Sequence, residues 1–147
     1  MSFAPHITVA TIVEQHGRFL FVKEFAKNTK VLNQPAGHLE MDESLNQAAI
    51  RETLEETAWL VELTALVGIY LYQAPNGVTY QRICFAAKPI MHQPERALDA
   101  GIIEALWLSH AQLLERQEQC RSPLVLQSLN DYLAGSVYPL SVMKGVF

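Results

Sequence analysis

The sequence predicts an α/β fold in which a mixed β-sheet carries helices on its faces. Two stretches rich in β-branched and aromatic residues, HITVATIV and RFLFVKE, flank EQHG, an arrangement typical of a β-hairpin. A second pair, VELTALVGIYLYQ and VTYQRICFAAK, flanks APNG, whose Asn76-Gly77 dipeptide favours a hairpin turn. Because hairpins make neighbouring strands antiparallel, these two pairs exclude a purely parallel sheet.

The middle of the chain combines a predicted loop with the helix that follows it. LNQPAGHLEMDE is predicted to be a loop, because Pro35 and Gly37 interrupt regular structure. Ser44 and Gln47 match a capping box, in which each residue's side chain bonds to the other's backbone. Good helix formers continue from there, so a helix is predicted over residues 44–57.

The C-terminal part is predicted to contain one strand and two helices. IIEALWLS is predicted to be a buried strand, and SHAQLLERQ to be a helix. SPLVLQSLNDYLAG is predicted to be the last helix, with Pro123 near its first position and Gly135 at its C-terminal end. The predicted order is therefore β-β-loop-α-β-β-β-α-α.

Composition indicates an ordinary globular domain spanning residues 1–147. Half of the residues are hydrophobic and 18% are charged, which is unlike disordered or fibrous chains. Cys84 and Cys120 lack the spacing of a zinc site or disulfide framework, so both are expected to be reduced. The first residues lack a basic signal-peptide region, and no apolar run is long enough to span a membrane. We therefore expect a cytoplasmic protein without a membrane partner, as a monomer or homodimer.

Negative charge is concentrated in one segment. The formal net charge is -4, and residues 40–56 contain six acidic residues and a single arginine. A nucleic-acid polymer calls for a basic face, so this distribution argues against such a partner. A phosphate ligand would also be repelled unless cations bridge it to the acidic residues.

The densest part of this segment is RETLEET, residues 51–57. Glu52, Glu55 and Glu56 have the spacing of neighbours on one side of a helix, where each like-charge pair costs about 0.2–0.5 kcal/mol. Leu45, Ala48 and Ala49 share that side, whereas the other stripe is formed by Ile50, Thr53, Leu54 and Thr57.

If the second stripe packs on the sheet, the glutamates face a cleft beside LNQPAGHLE. Such a cleft suits Mg²⁺, which binds through a few carboxylates, water and substrate phosphates. A solvated helix face is the alternative interpretation of the glutamates alone.

GHLEMDESLNQAAIRETLEETAW resembles the Nudix box: a glycine, five residues, a glutamate, seven residues, then Arg-Glu-aliphatic-any-Glu-Glu-any-Gly-aliphatic. Six positions match in register: Gly37, Glu43, Arg51, Glu52, Glu55 and Glu56. Thr53, Ala58 and Trp59 depart from the pattern. Thr53 and Ala58 are expected to lower stability, because one buries a hydroxyl and the other resists a left-handed helix cap. None of the three departures removes a ligand.

Outside the box, PHITVATIV, NQPAGHLE, RSPLV and YPL resemble the NudJ-type phosphatase subfamily of Nudix hydrolases. The family resemblance implies an α/β/α sandwich and substrates in which a diphosphate is linked to an organic group. The subfamily implies phosphate release from nucleoside di- and triphosphates and from thiamine- or hydroxymethylpyrimidine-type pyrophosphates. A dinucleotide pyrophosphatase and a nucleotide-sensing module without turnover are the alternatives.

The resemblance also implies roles for the box residues. The metal ligands would be the Gly37 carbonyl and the carboxylates of Glu52, Glu55 and Glu56, holding Mg²⁺ or Mn²⁺. Glu43 and Arg51 would pair and orient the junction between loop and helix, a structural role.

Several residues outside the box complete the predicted site. The catalytic base is Glu52 itself or an acid near the later strand, Glu104 or Asp99. Substrate would be bound by Asn33, Gln34, Arg82 and Arg121. His38 lies beside the metal loop, where a hydrogen-bonding residue is more common than a ligand.

Overall fold

In the computed structural model, which describes residues 2–146, a seven-stranded sheet is flanked by three α-helices. The strands are His6–Gln15 (β1), Arg18–Ala26 (β2), Thr29–Asn33 (β3), Ala36–His38 (β4), Trp59–Gln73 (β5), Thr79–His92 (β6) and Ile102–Leu108 (β7). The helices are Leu45–Thr57 (α1), His110–Glu115 (α2) and Pro123–Leu133 (α3), with 3₁₀ turns at Gln117–Gln119 and Leu140–Val142. Within residues 2–146, no helix has the length and apolar character needed to cross a membrane.

The sheet mixes parallel and antiparallel pairs, as predicted. Its order is β3-β2-β1-β6-β5, with β4 paired to β1 and β7 paired to β2. Strands β1 and β6 run parallel, from His6 opposite Tyr80 to Val13 opposite Ala87. The other pairings are antiparallel. The α/β class with a mixed sheet is therefore confirmed.

Both predicted hairpins form. The first turns at His16 and Gly17, whose φ angles are 54° and 73°, the left-handed values that a two-residue turn between twisted strands requires. In the second turn Gly77 has φ 86°. The Asn76 side-chain oxygen accepts a 2.9 Å hydrogen bond from the backbone N–H of Val78 there.

The helix boundaries follow the predicted caps. The Ser44–Gln47 capping box is present at the start of α1, and Ser109 forms a second box with Gln112 before α2. Helix α3 begins at Pro123, whose missing N–H is not needed in the first turn. The positive φ of Gly135, 97°, lets the chain leave α3.

Alternating side chains of the sheet fill two separate cores. On β1, Val9 and Val13 pack against the α1 side together with Ala48 and Ala49. Ala10 and Ile12, which point the other way, join the core that contains Val125 and Leu129 of α3. Helices thus cover both faces of the sheet, and the α/β/α sandwich is confirmed.

The prediction of a continuous loop over LNQPAGHLEMDE is wrong at its beginning. Residues 32–33 end β3, and residues 36–38 form β4, with Thr8 opposite His38. Pro35 lies between the two strands, where its carbonyl accepts a 3.1 Å hydrogen bond from the Thr11 N–H. A proline without an N–H can occupy this position because only its carbonyl is used.

Two burial predictions also need correction. The strand predicted to be buried, β7, is mostly exposed or half-buried, and only Leu108 is buried, since β7 pairs with β2 outside the main strand order. On α1 the buried residues are Ala48, Ala49, Thr53, Glu56 and Thr57, while Ile50 and Leu54 are half-buried. The helix therefore contacts the sheet through small side chains that allow a close approach.

Thr53 and Ala58, the two box departures expected to lower stability, have different consequences in the structure. The Thr53 hydroxyl donates to the Ala49 carbonyl at 2.7 Å. The Thr11 hydroxyl oxygen lies 2.7 Å from the Thr53 hydroxyl oxygen. These bonds offset the cost of burying an unpaired polar group. Ala58 caps α1 in the left-handed conformation, with φ 61° and ψ 19°, which strains an L-amino acid with a Cβ.

We expect Ala58→Gly to stabilise the protein by about 0.5–1 kcal/mol, because glycine adopts this conformation without strain and the lost methyl burial offsets only part of the gain. Urea unfolding measures the change. Ala134→Gly is the matched control: Ala134 caps α3 with φ -79°, so glycine should be neutral or destabilising there. Equal or lower stability of Ala58→Gly would contradict the strain assignment.

Candidate metal and phosphate site

The site is built where β4 lies directly on α1. The Ala36 N–H donates a 2.9 Å hydrogen bond to Glu56 Oε1, and Arg51 Nη2 donates to the His38 carbonyl at 3.1 Å. A Cβ on Gly37 would overlap all three atoms of the Glu52 carboxyl group. Glycine at this position therefore leaves room for the Glu52 carboxyl group, which any larger residue would have to displace.

Arg51 lies among four carboxylates and offsets much of their repulsion. It forms a two-point pair with Glu43, from Nε to Oε2 at 2.9 Å and from Nη2 to Oε1 at 2.7 Å. It also contacts Glu52 at 2.7 Å, Glu55 at 3.2 Å and Glu40 at 3.3 Å. The hydrogen bond from Arg51 is the main reason that the pKa of Glu43 lies below its ordinary value.

A carboxylate group suited to a hard cation forms beside this arginine. Glu52, Glu55 and Asp99 each place a carboxylate oxygen within 4.8 Å of the others. The Asp99 N–H donates to the Glu55 carbonyl at 3.1 Å, which holds the Asp99 loop against α1. Three converging carboxylate oxygens match the oxygen-only preference of Mg²⁺ and Mn²⁺. The residues present therefore fit a divalent cation.

Glu56, the third box glutamate, is buried beside this group and accepts the Ala36 N–H. Burial raises the pKa of Glu56 to about 8, with further contributions from the charges of Glu24, Glu52 and Asp99. Burial likewise raises the pKa of Glu52, opposed by its bond to Arg51. In both residues burial favours the neutral carboxyl group. A nearby cation would instead favour the charged carboxylate.

A cleft of about 610 Å³ joins the acidic residues to a cationic wall. It brings together six of the predicted site residues: Asn33, Gly37, Glu52, Glu56, Arg82 and Arg121. His38 also lines this cleft, and burial is the main reason that its pKa is lowered. An anionic ligand in the cleft would therefore meet both carboxylates and guanidinium groups.

Arg82 is held in this wall by neutral oxygens. It is only 7% exposed and donates to Gln34 Oε1 at 2.8 Å and to Asn33 Oδ1 at 3.3 Å. Among the residues that the structure describes, its Nε has no hydrogen-bond partner. Burial lowers the pKa of Arg82. A buried cation without a carboxylate partner is well suited to bind an anionic oxygen.

Two of the residues predicted to bind substrate or to act in catalysis lie outside both the cleft lining and the carboxylate group. Gln34 is 1% exposed, and its Nε2 donates to the Val125 carbonyl at 2.7 Å. This bond holds the amide group whose Oε1 accepts from Arg82. Glu104 is exposed on β7 opposite Lys23, outside both the cleft lining and the carboxylate group.

The sequence did not reveal Glu24. This residue lines the cleft at 9% exposure, and its Oε2 accepts a 2.7 Å hydrogen bond from Arg121 Nη1. Its position depends on the pairing of β2 with β3 and on the loop before α3, neither of which a local pattern indicates. Tyr72 and Tyr80 also line the cleft and were not predicted as site residues.

An α/β/α sandwich with converging carboxylates beside a cationic cleft defines a hydrolase class that acts on diphosphate compounds and generally uses divalent metal. The sequence profile described as the NUDIX domain matches residues 3–127. The chain belongs to the Nudix hydrolase family.

Comparison with individual proteins agrees with this assignment. The chain is 37% identical to "Phosphatase NudJ" of Escherichia coli strain K12 over 141 residues, covering 96% of this chain and 92% of that protein. The Shigella flexneri protein of the same name gives the same values. The solved structure "NUDIX hydrolase from Nitrosomonas europaea" is 42% identical, with a TM-score of 0.95, covering 97% of this chain and 98% of that one.

The raised pKa of Glu56 predicts a pH dependence of stability in the metal-free protein. The carboxyl stays protonated in the folded chain up to about pH 8, whereas in the unfolded chain it ionises near its ordinary value of 4.5. Unfolding therefore releases a proton between these values, and its contribution to stability falls as pH rises from 4.5 to 8. Glu56→Gln removes this contribution while keeping an acceptor for Ala36.

Thermal melting in a chelator should therefore show a steeper loss of stability with rising pH in the wild type than in Glu56→Gln. Because a neutral amide also relieves repulsion, the variant should be at least as stable as the wild type near pH 8. Parallel pH curves, or a strongly destabilised variant, would contradict this account of Glu56.

Proposed function

We propose that this protein is a Mg²⁺-dependent phosphatase that releases inorganic phosphate from small molecules carrying a terminal diphosphate. The observation that carries the proposal is a cleft lined both by the carboxylates of Glu52 and Glu56 and by the guanidinium groups of Arg82 and Arg121. The similarity to proteins named "Phosphatase NudJ" across 96% of the chain supports the reaction type. Mn²⁺ is expected to replace Mg²⁺, since both take oxygen ligands.

The metal would be held by Glu52, Glu55 and Glu56 with the Gly37 carbonyl, and Asp99 converges on the same region. A divalent cation bound there supplies charge neutralisation of phosphate oxygens and activation of water. Arg51 limits repulsion among the carboxylates before the cation binds. The extra contacts of Arg51 thus have a functional reason as well as a structural one.

The cationic wall would orient the substrate. Arg82 and Arg121 bind phosphate oxygens, and Asn33 holds Arg82 while facing the cleft. Water attacks the terminal phosphorus and the bridging P–O bond breaks. The products are inorganic phosphate and the organic molecule with one phosphate fewer, and the proton lost by water passes to a carboxylate base. Of the three predicted bases, we propose Glu52 or Asp99 rather than Glu104, since both belong to the carboxylate group.

We propose that the substrates are thiamine- or hydroxymethylpyrimidine-type pyrophosphates and nucleoside di- and triphosphates. The cleft of about 610 Å³ has room for a ring and a diphosphate, and recognition mainly through phosphate would give a broad range. We further propose a single-domain cytoplasmic enzyme, monomeric or homodimeric, without a nucleic-acid or membrane partner. The free thiols of Cys84 and Cys120 support a reducing compartment.

Two alternatives make different products. A dinucleotide pyrophosphatase would cleave an internal diphosphate into two monophosphate products, and a nucleotide-sensing module would bind without turnover. Retention of Glu52, Glu55 and Glu56 favours turnover over sensing, because a sensor does not need the complete carboxylate set.

A product panel tests the proposal. With Mg²⁺ present, thiamine pyrophosphate, a nucleoside diphosphate, a nucleoside triphosphate and a dinucleotide are each incubated with the enzyme. Free phosphate, pyrophosphate and organic products are then measured separately. We expect inorganic phosphate from the substrates with a terminal diphosphate, and complete loss of turnover after exhaustive chelation, because the acidic cleft repels polyphosphate without a cation.

Glu56→Gln should lose about 10²-fold or more in kcat while remaining folded, and the exposed Glu62→Gln should not change activity. Exclusive formation of two monophosphates from the dinucleotide would refute the phosphatase assignment. Turnover that is undiminished after chelation would refute the metal mechanism.

A further inference from the structure

The carboxylate of Glu24 pairs with Arg121 in the cleft, at a cation that the proposed function assigns to phosphate. Glu24 Oε2 lies 2.7 Å from Arg121 Nη1 and 3.4 Å from Asn33 Nδ2. Asn33 in turn accepts from Arg82, so Glu24 is linked to both cations. The other oxygen, Oε1, has no hydrogen-bond partner among residues 2–146, although the residue lines the cleft.

We infer that Glu24 is an internal competitor for phosphate, occupying Arg121 until a substrate with two phosphates displaces it. The inference rests on the proposed function, since it concerns the same cleft and the same reaction. Glu24 is thereby a specificity-determining residue that favours diphosphate over monophosphate ligands and speeds the release of inorganic phosphate.

The burial of the two partners shows which one can move. Glu24 is 9% exposed and belongs to a strand, whereas the side chain of Arg121 is 49% exposed. The backbone of Arg121 is held separately, because its N–H donates to the Leu32 carbonyl at 2.8 Å. The guanidinium can therefore leave Glu24 while its backbone remains in place.

Glu24 is not needed to position Arg121, but its negative charge weakens the binding of an anion to Arg121. Because the backbone anchor already places Arg121 beside the cleft, the carboxylate mainly adds negative charge next to a guanidinium. A single phosphate must compete with that charge and has one point of attachment. A diphosphate also reaches the acidic wall, where a cation would bind it, so it can displace Glu24 more easily.

Glu24→Gln tests this role, because the amide oxygen still accepts from Arg121 but carries no charge. The probe is inorganic phosphate, titrated calorimetrically into the protein with saturating Mg²⁺ and no substrate. We expect the Kd for phosphate to fall roughly 5-fold in Glu24→Gln. In turnover assays phosphate should become a correspondingly stronger product inhibitor. Arg121→Gln should weaken phosphate binding, and the double variant should lose most of the gain from Glu24→Gln.

The matched control is Glu62→Gln, which removes a carboxylate from the exposed pair with Lys88 and should leave phosphate affinity unchanged. Unchanged or weaker phosphate affinity in Glu24→Gln would overturn the inference. An equal gain in phosphate affinity from Glu24→Gln with and without Arg121 would also overturn it, as would the absence of measurable phosphate binding to every variant. Thermal melting identifies any variant that has lost its fold.

The experiment separates this inference from the proposed function. If no diphosphate substrate is turned over but Glu24→Gln still binds phosphate more tightly, the proposed function fails and the competition stands. If turnover is normal and phosphate affinity is unaltered, only the role of Glu24 fails.

Discussion

The close approach of β4 to α1 is the constraint on which the site depends. A side chain at Gly37 would occupy the volume of the Glu52 carboxyl group, and the adjacent N–H of Ala36 binds Glu56. Small residues on α1, Ala48 and Ala49, allow the helix to lie close to the sheet on the same face. The packing of the core and the geometry of the site therefore both require α1 to lie close to β4, so that the carboxylates of α1 are placed beside backbone groups of β4.

Electrostatics explains why this arrangement is tolerated before a ligand binds. Arg51 contacts Glu40, Glu43, Glu52 and Glu55, which spreads one positive charge over four carboxylates. Glu56 lies outside those contacts, and burial raises its pKa to about 8. A single arginine thus leaves part of the negative charge uncompensated, and a divalent cation would complete the neutralisation. Under the proposed function, Arg82 and Arg121, which line the same cleft, would bind the anionic oxygens of the substrate.

Local patterns predicted most of the fold and named the glutamates of the candidate site. The hairpins, the capping box and the glutamate spacing depend on neighbouring residues, so the sequence contains their signals directly. The loop prediction failed at β4 because Pro35 and Gly37 resemble breakers, although one lies between strands and the other permits close packing. Asp99 joined Glu52 through a long-range loop contact, and Glu24 reached Arg121 across 97 positions. Such tertiary contacts have no local signature.

The most direct test is Mn²⁺ affinity, measured by electron paramagnetic resonance in the wild type and in Gly37→Ala. The added methyl must displace the Glu52 carboxyl group or separate β4 from α1. If close approach builds the metal site, Gly37→Ala should remain folded by thermal melting and bind Mn²⁺ roughly 10-fold or more weakly. A folded variant with wild-type Mn²⁺ affinity would contradict the account, because it would show that the carboxylates bind metal without this contact.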